Sequence, residues 1–196
     1  AQGDQSNLKS MSDRFSQENA TVTIGIATPA VQSLANTSGN IPVVMGAVSD
    51  PLGAHLVKSL THPGGKITGV QDRQPIASQL ALMQELLPKA KNIGVIYTSS
   101  DDSSASEYRE FRRLAEAKGL KVIPYTITST NDIEQVAQTM VGKVQAVYVP
   151  TDNTVASGIA TLLKATNSAK IPVFPAADTA CGILAARSPS PAGTAL

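Results

Sequence analysis

Short apolar runs alternate along this chain with polar stretches whose apolar positions recur at helical spacing. The runs at 22–27, 41–48, 66–70, 93–97, 120–128, 144–149 and 171–176 are too short for helices and rich in Val and Ile, which predicts buried strands. Leu8, Met11 and Phe15 predict a helix over 8–18, and Pro29 suits the first turn of a second one reaching Asn36. Ser49-Asp50-Pro51 predicts the start of a third helix, with Leu52, Leu56, Val57 and Leu60 as its buried stripe. Residues 76–87 read as an amphipathic helix stopped before Pro88. Tyr108, Phe111, Leu114 and Ala115 predict another over 105–118, with Ser104 and Glu107 as a capping box and Gly119 as the stop. Two more follow, over 132–140 and from Thr151 to Thr166. Strands alternating with helices predict parallel sheets joined by right-handed crossovers.

The chain also repeats itself. Residues 35–43 and 165–173 share Ala, Ser, Ile, Pro and Val in register, each segment lying between a helix and the next strand. Together with a break in pattern at 89–92, this predicts two α/β lobes, residues 1–90 and 91–187, in place of one continuous sheet. Residues 188–196 carry no periodicity and read as coil.

Composition narrows the function. A chain of 196 residues, 42% hydrophobic and 16% charged, can bury one full core or two small ones. A net charge of +1, no basic run longer than Arg112-Arg113 and 4% aromatics argue against nucleic acid as a partner. Cys181 stands alone, which excludes an internal disulfide and a cysteine metal cluster. No run approaches the roughly 20 apolar residues of a membrane helix. The first residues show no signal-peptide pattern, so an exported protein would already have lost its signal.

Enzyme motifs are missing: there is no nucleophile elbow, dinucleotide fingerprint or phosphate loop. His55 falls on a predicted helix and His62 in a turn. Asp101-Asp102 offers an acidic pair for magnesium, but in a serine-rich loop a solvated helix cap is the simpler reading. The strand ends remain: Thr28, Ser49-Asp50, residues 99–104, Thr151-Asp152-Asn153 and Asp178-Thr179. Hydroxyls and helix N-terminal amides favour an anionic group, and a carboxylate such as Asp152 favours an ammonium, so a zwitterion suits both. Helix capping explains each of these residues singly.

Four stretches carry a family resemblance: Ile41-Pro-Val-Val-Met-Gly-Ala-Val-Ser-Asp-Pro-Leu-Gly-Ala54, His62-Pro-Gly-Gly-Lys-Ile-Thr-Gly-Val70, Ile93-Gly-Val-Ile-Tyr97 and Val147-Tyr-Val-Pro-Thr-Asp-Asn-Thr-Val-Ala-Ser157. Over about residues 1 to 180 the chain resembles the ABC-transporter substrate-binding proteins of the tryptophan/tyrosine type. The resemblance implies the type I periplasmic-binding fold, two Rossmann-like lobes closing over a ligand, here truncated at both ends. The absent first strand would lie beside 22–27 and leave that strand at an edge. The resemblance further implies a non-enzymatic receptor without cofactor, binding an aromatic or other small amino acid for an ABC permease in the periplasm or outside the cell. A membrane would be met only through the permease or a lipid anchor outside this chain. By position, Thr28, Pro29, Ser49 and Asp50 contribute from the first lobe, and Tyr97, Ser100, Ser104, Thr151, Asp152, Asn153 and Asp178 from the second. Asp152 is expected to pair with an α-ammonium while Ser104 and nearby amides take the carboxylate. Two alternatives stay open: the effector-sensing core of a sugar- or nucleobase-responsive transcription regulator, and an α/β enzyme using Asp101 or Asp152.

Overall fold

Seven strands sort into two separate parallel sheets in the computed structural model, which describes residues 5–37 and 39–176. The first sheet follows helix α1 (Gln5–Gln17) and is built from β1 (Thr23–Ile26), helix α2 (Thr28–Thr37), β2 (Val43–Val48) and β3 (Ile67–Gln71), in the order β1-β2-β3. Helix α3 (Ile76–Leu86) leads to β4 (Asn92–Thr98), α4 (Asp102–Ala117), β5 (Lys121–Ile127) and α5 (Ile133–Met140). Strand β6 (Ala146–Val149), the short α6 (Asn153–Ser157), α7 (Ile159–Ser168) and β7 (Val173–Pro175) complete a second sheet of order β5-β4-β6-β7.

Each sheet is positioned by the apolar stripes of its helices. In the first, Val31 and Leu34 of α2 pack on Val43, Met45, Val48 and Ile67. The second is covered on both faces, which is why every residue of β6 is buried and its sequence is apolar without alternation. One face takes Ile133, Ala137 and Met140 of α5 with Leu162 and Leu163 of α7. The other takes Ile76, Leu80 and Met83 of α3 with Tyr108, Phe111 and Ala115 of α4, and the Phe111 ring stacks on Tyr148 with centroids 4.0 Å apart.

Helix α3 therefore packs on the second sheet, whereas the division at residue 90 assigned it to the first lobe. Pro88 ends the helix, but the chain crosses between the sheets earlier, over residues 72–75. The helix predicted over 52–60 does not form. The segment makes successive turns instead, with His55 in the left-handed region at φ 54° and the Lys58 amide bonded to the Pro63 carbonyl. Ala54, Leu56 and Val57 are buried by this route, while Leu52 and Leu60 of the predicted stripe are exposed. The helix predicted to run to Thr166 is split at Gly158, where a Cβ would overlap Ile133 Cδ1.

The internal repeat has a structural counterpart. Pro42 and Pro172, the matched prolines, each lead into a strand and each accept a hydrogen bond from the neighbouring strand, Thr23 N and Val147 N respectively, both at 2.9 Å. Strand β1 lies at the edge of the first sheet, with Ile24 and Ile26 each 69% exposed. Asp178, Thr179, Cys181 and the segment 188–196 lie outside the described residues.

Candidate functional site

In both sheets the helices follow the carboxyl ends of parallel strands, and the first turn of α4 carries those ends of the two sheets into contact. Asp101 caps this helix, its Oδ1 accepting from the amides of Ser103 at 2.9 Å and Ser104 at 3.3 Å. The capping box predicted for Ser104 and Glu107 is not made. The helix starts three residues earlier, and Glu107 turns toward β6. Ser103 reaches the first lobe: its hydroxyl accepts from Thr28 Oγ1 at 2.8 Å and from the Asp50 amide at 3.2 Å. The Ser106 hydroxyl donates to Asp50 Oδ2, Gln32 donates to Asp102 at 2.9 Å, and Arg73 pairs with Glu110 at 2.7 Å. The Arg73–Glu110 pair is solvent-exposed and contributes at most about 1 kcal/mol. The Thr28–Ser103 bond is buried, so separating the lobes must rehydrate both groups.

These contacts frame a cavity of about 170 Å³ between the lobes. Ser49, Asp50, Gln71, Arg73, Gln74 and Ile76 line it from one side, and Ser103, Ser106, Glu107 and Glu110 from the other. It presents one guanidinium, three carboxyl groups, hydroxyls and amides, with Ile76 as its apolar element. Asp50 is braced by the Gly53 amide at 2.9 Å. Behind the cavity, Glu107 is 6% exposed, and its Oε2 accepts from the Thr151 amide at 3.1 Å. The Tyr148 hydroxyl lies 2.9 Å from both Glu107 Oε1 and Gln79 Oε1, and Gln79 Nε2 donates to the Ala176 carbonyl at 3.1 Å. Burial raises the pKa of Glu107, against the lowering effect of these bonds, and burial together with Glu107 raises that of Tyr148.

The residues singled out from sequence fall into distinct places. Thr28, Ser49 and Asp50 stand at the seam between the lobes. Pro29 and Ser100 line a separate groove against α1 and α2. Tyr97 stacks on Tyr108 with centroids 4.8 Å apart, and Asn153 is exposed at the start of α6. Ser104 is fully buried, its hydroxyl donating to the carbonyls of Thr98 and Asp101 at 3.3 and 3.1 Å. The Thr151 hydroxyl is buried and finds no hydrogen-bond partner among the described residues. Asp152 is 4% exposed, and its oxygens accept from Thr98 N at 2.6 Å, Thr98 Oγ1 at 2.9 Å and the amides of Thr154 and Val155 at 3.0 Å. A carboxylate offers about four lone-pair positions. An ammonium at Asp152 would therefore displace a protein donor, and the residue serves here to cap α6 and tie it to β4.

Sequence reasoning passed over Gln71, Arg73 and Gln74, although they stand at and beyond the end of β3 as Ser49 and Asp50 stand beyond β2. It also passed over a polar stripe on α4, since Ser103, Ser106, Glu107 and Glu110 recur at helical spacing beside the apolar face that did attract notice.

The family model for ABC transporter substrate binding proteins matches residues 1–186. The chain belongs to this family. It is 36% identical over 174 residues to a tyrosine-binding protein of Clostridioides difficile (strain R20291), a match that covers 89% of this chain and 50% of the relative. A Streptococcus pneumoniae ABC domain solved in complex with L-Trp is 42% identical and superposes with a TM-score of 0.90, over 92% of this chain and 63% of that one. A ligand-free, open substrate-binding protein with adhesive properties from Clostridium difficile, 35% identical, superposes at only 0.58, over 90% of this chain and 60% of that one. The chain thus spans half to under two thirds of the length of these relatives. At similar identity the chain superposes far better on the L-Trp complex than on the ligand-free, open relative. The fold of this substrate-binding protein is accordingly the type I periplasmic-binding arrangement.

Proposed function

We propose that this chain is the ligand-binding part of a solute receptor serving an ABC import system, and that the cavity between the lobes takes a small amino acid. The observation that carries this reading is a cavity holding charges of both signs between lobes that meet around it. Arg73 suits an α-carboxylate and Asp50 an α-ammonium, each with hydroxyl neighbours on the opposite lobe. An aromatic amino acid leads because one relative is named for tyrosine and another was solved with L-Trp. The receptor releases its ligand unchanged to a permease at the outer face of the membrane, and no step of catalysis or cofactor is assigned to it. Asp152, which an enzyme mechanism would call on, is saturated by structural hydrogen bonds.

Calorimetric titration with L-tryptophan, L-tyrosine, a neutral sugar and a nucleoside tests the reading. Binding of one or both amino acids is expected, and Arg73→Gln should weaken it by about 1 kcal/mol, because the ligand's carboxylate loses a largely exposed charged partner. Binding of the sugar or nucleoside alone, or amino-acid affinity untouched by Arg73→Gln, would count against it.

A further inference from the structure

Tyr148 presents a problem of proton counting. Its hydroxyl has one hydrogen and stands 2.9 Å from two acceptors, Gln79 Oε1 and Glu107 Oε1. The Gln79 amide cannot be turned to supply a donor, because its nitrogen is already bonded to the Ala176 carbonyl at 3.1 Å, and turning it would set two oxygens against each other. A proton on Glu107 resolves this without sharing one hydrogen between two acceptors. We propose that Glu107 is held as the uncharged acid, donating from Oε1 to Tyr148, and that in this form it positions Thr151 and the seam of α4 on β6 for ligand binding. The chain of donation then closes without a conflict: Glu107 to Tyr148, Tyr148 to Gln79, and Gln79 to the Ala176 carbonyl.

Burial and neighbouring charge disfavour the carboxylate, against the bonds from Thr151 and Tyr148, which pull the other way. From α4 itself Glu110 opposes ionisation, from β6 there is only the Tyr148 hydroxyl, and from α3 the neutral Gln79. From the loop after β6 the Thr151 amide donates to Oε2. Across the cavity Asp50 adds a further negative charge, and the guanidinium of Arg73 is engaged by Glu110. Burial is the largest influence, and it disfavours the carboxylate. Glu107 also lines the interlobe cavity, so opening the lobes brings water to it and makes ionisation easier. Closure over a ligand then takes up a proton, and by linkage affinity falls as the pH rises through the pKa of Glu107 in the closed form.

This binding consequence rests on the cavity being the ligand site, whereas the proton assignment does not. The experiment separates them. In the full chain labelled with ¹³C at glutamate carboxyls, one resonance is expected to keep the shift of a protonated acid to higher pH than the others and to vanish in Glu107→Gln. The glutamine side chain reproduces the neutral acid, accepting from Thr151 and donating to Tyr148. L-Tryptophan affinity should fall about tenfold or more between about pH 5 and about pH 9 in the wild type, with proton uptake on binding, and stay level in Glu107→Gln. Glutamate resonances that all titrate in the ordinary range would overturn the assignment, whatever the ligand proves to be. A protonated Glu107 with wild-type affinity as level as the variant's would overturn the coupling. Absence of any L-tryptophan or L-tyrosine binding would refute the amino-acid reading and this coupling with it, leaving the resonance to decide the proton.

Discussion

Replacing Asp101 by Asn should make the chain more stable at neutral pH, although it removes a negative charge from a helix N-cap. Asp101 is 6% exposed, and burial first, then the Asp152 carboxylate, pushes its pKa from 3.8 to about 6. The amides of Ser103 and Ser104 pull in the opposite direction and do not prevail. A gap of about two units corresponds to ~3 kcal/mol. Because the folded chain keeps a proton that the unfolded chain releases, this contribution is complete below about 3.8 and is lost as the pH rises through about 6. Asn caps as well as Asp and cannot ionise, while the lost interaction with the helix dipole subtracts roughly 0.3–1 kcal/mol. The variant should therefore gain ~2 kcal/mol near pH 8, with the difference vanishing near pH 4. Urea unfolding of both proteins at a series of pH values measures it, with matching m-values as the check that the unfolded states are comparable. Asp101→Ala, which also loses the cap, should trail Asp101→Asn by about 1 kcal/mol throughout. An Asn variant no more stable than wild type near pH 8, or a difference that does not change with pH, would refute the reasoning.

Three further outcomes follow from the packing. Asp152→Ala strands the amides of Thr98, Thr154 and Val155 and should cost roughly 2–4 kcal/mol in chemical denaturation. Gly69→Ala places a methyl against the Met45 backbone from a residue at φ 149°, and should cost roughly 3–5 kcal/mol by the same measurement. Among the described residues strand β1 offers an unpaired edge beside exposed Ile24 and Ile26, so the chain should self-associate at high concentration in light scattering, and Ile24→Lys should reduce this.

The periodicities of the chain were enough to read the strands and most helices, because apolar runs and stripes report burial directly. Residues 52–60 misled because their apolar residues have helical spacing, yet His55 adopts φ 54° and turns Leu52 and Leu60 out to solvent. Spacing records which residues are buried, not the path the backbone takes between them. The candidate site was legible only in part. Thr28, Ser49 and Asp50, read from the rule that parallel strands place ligands at their carboxyl ends, stand at the seam between the lobes. Asp152 and Ser104 obey the same rule and are nevertheless consumed by internal hydrogen bonds, which depend on side-chain directions across β4, α4 and α6. Arg73 and Glu110, 37 residues apart in sequence, meet where the crossing between the lobes runs past α4.

The crossing at residues 72–75 also bears on how the molecule assembles. Among the described residues each sheet is drawn from one uninterrupted stretch, so a nascent chain can complete β1 to β3 before α3 has been synthesised. Strand pairings within a sheet join residues 20 to 53 apart, as Thr23 with Val43 and Ile93 with Ala146, whereas the bond from Thr28 to Ser103 spans 75 residues. Such connectivity favours collapse of each half before the halves dock. Late docking leaves Thr28, Asp50 and the first turn of α4 hydrated until the last step, so the polar seam is the final part of the molecule to dry.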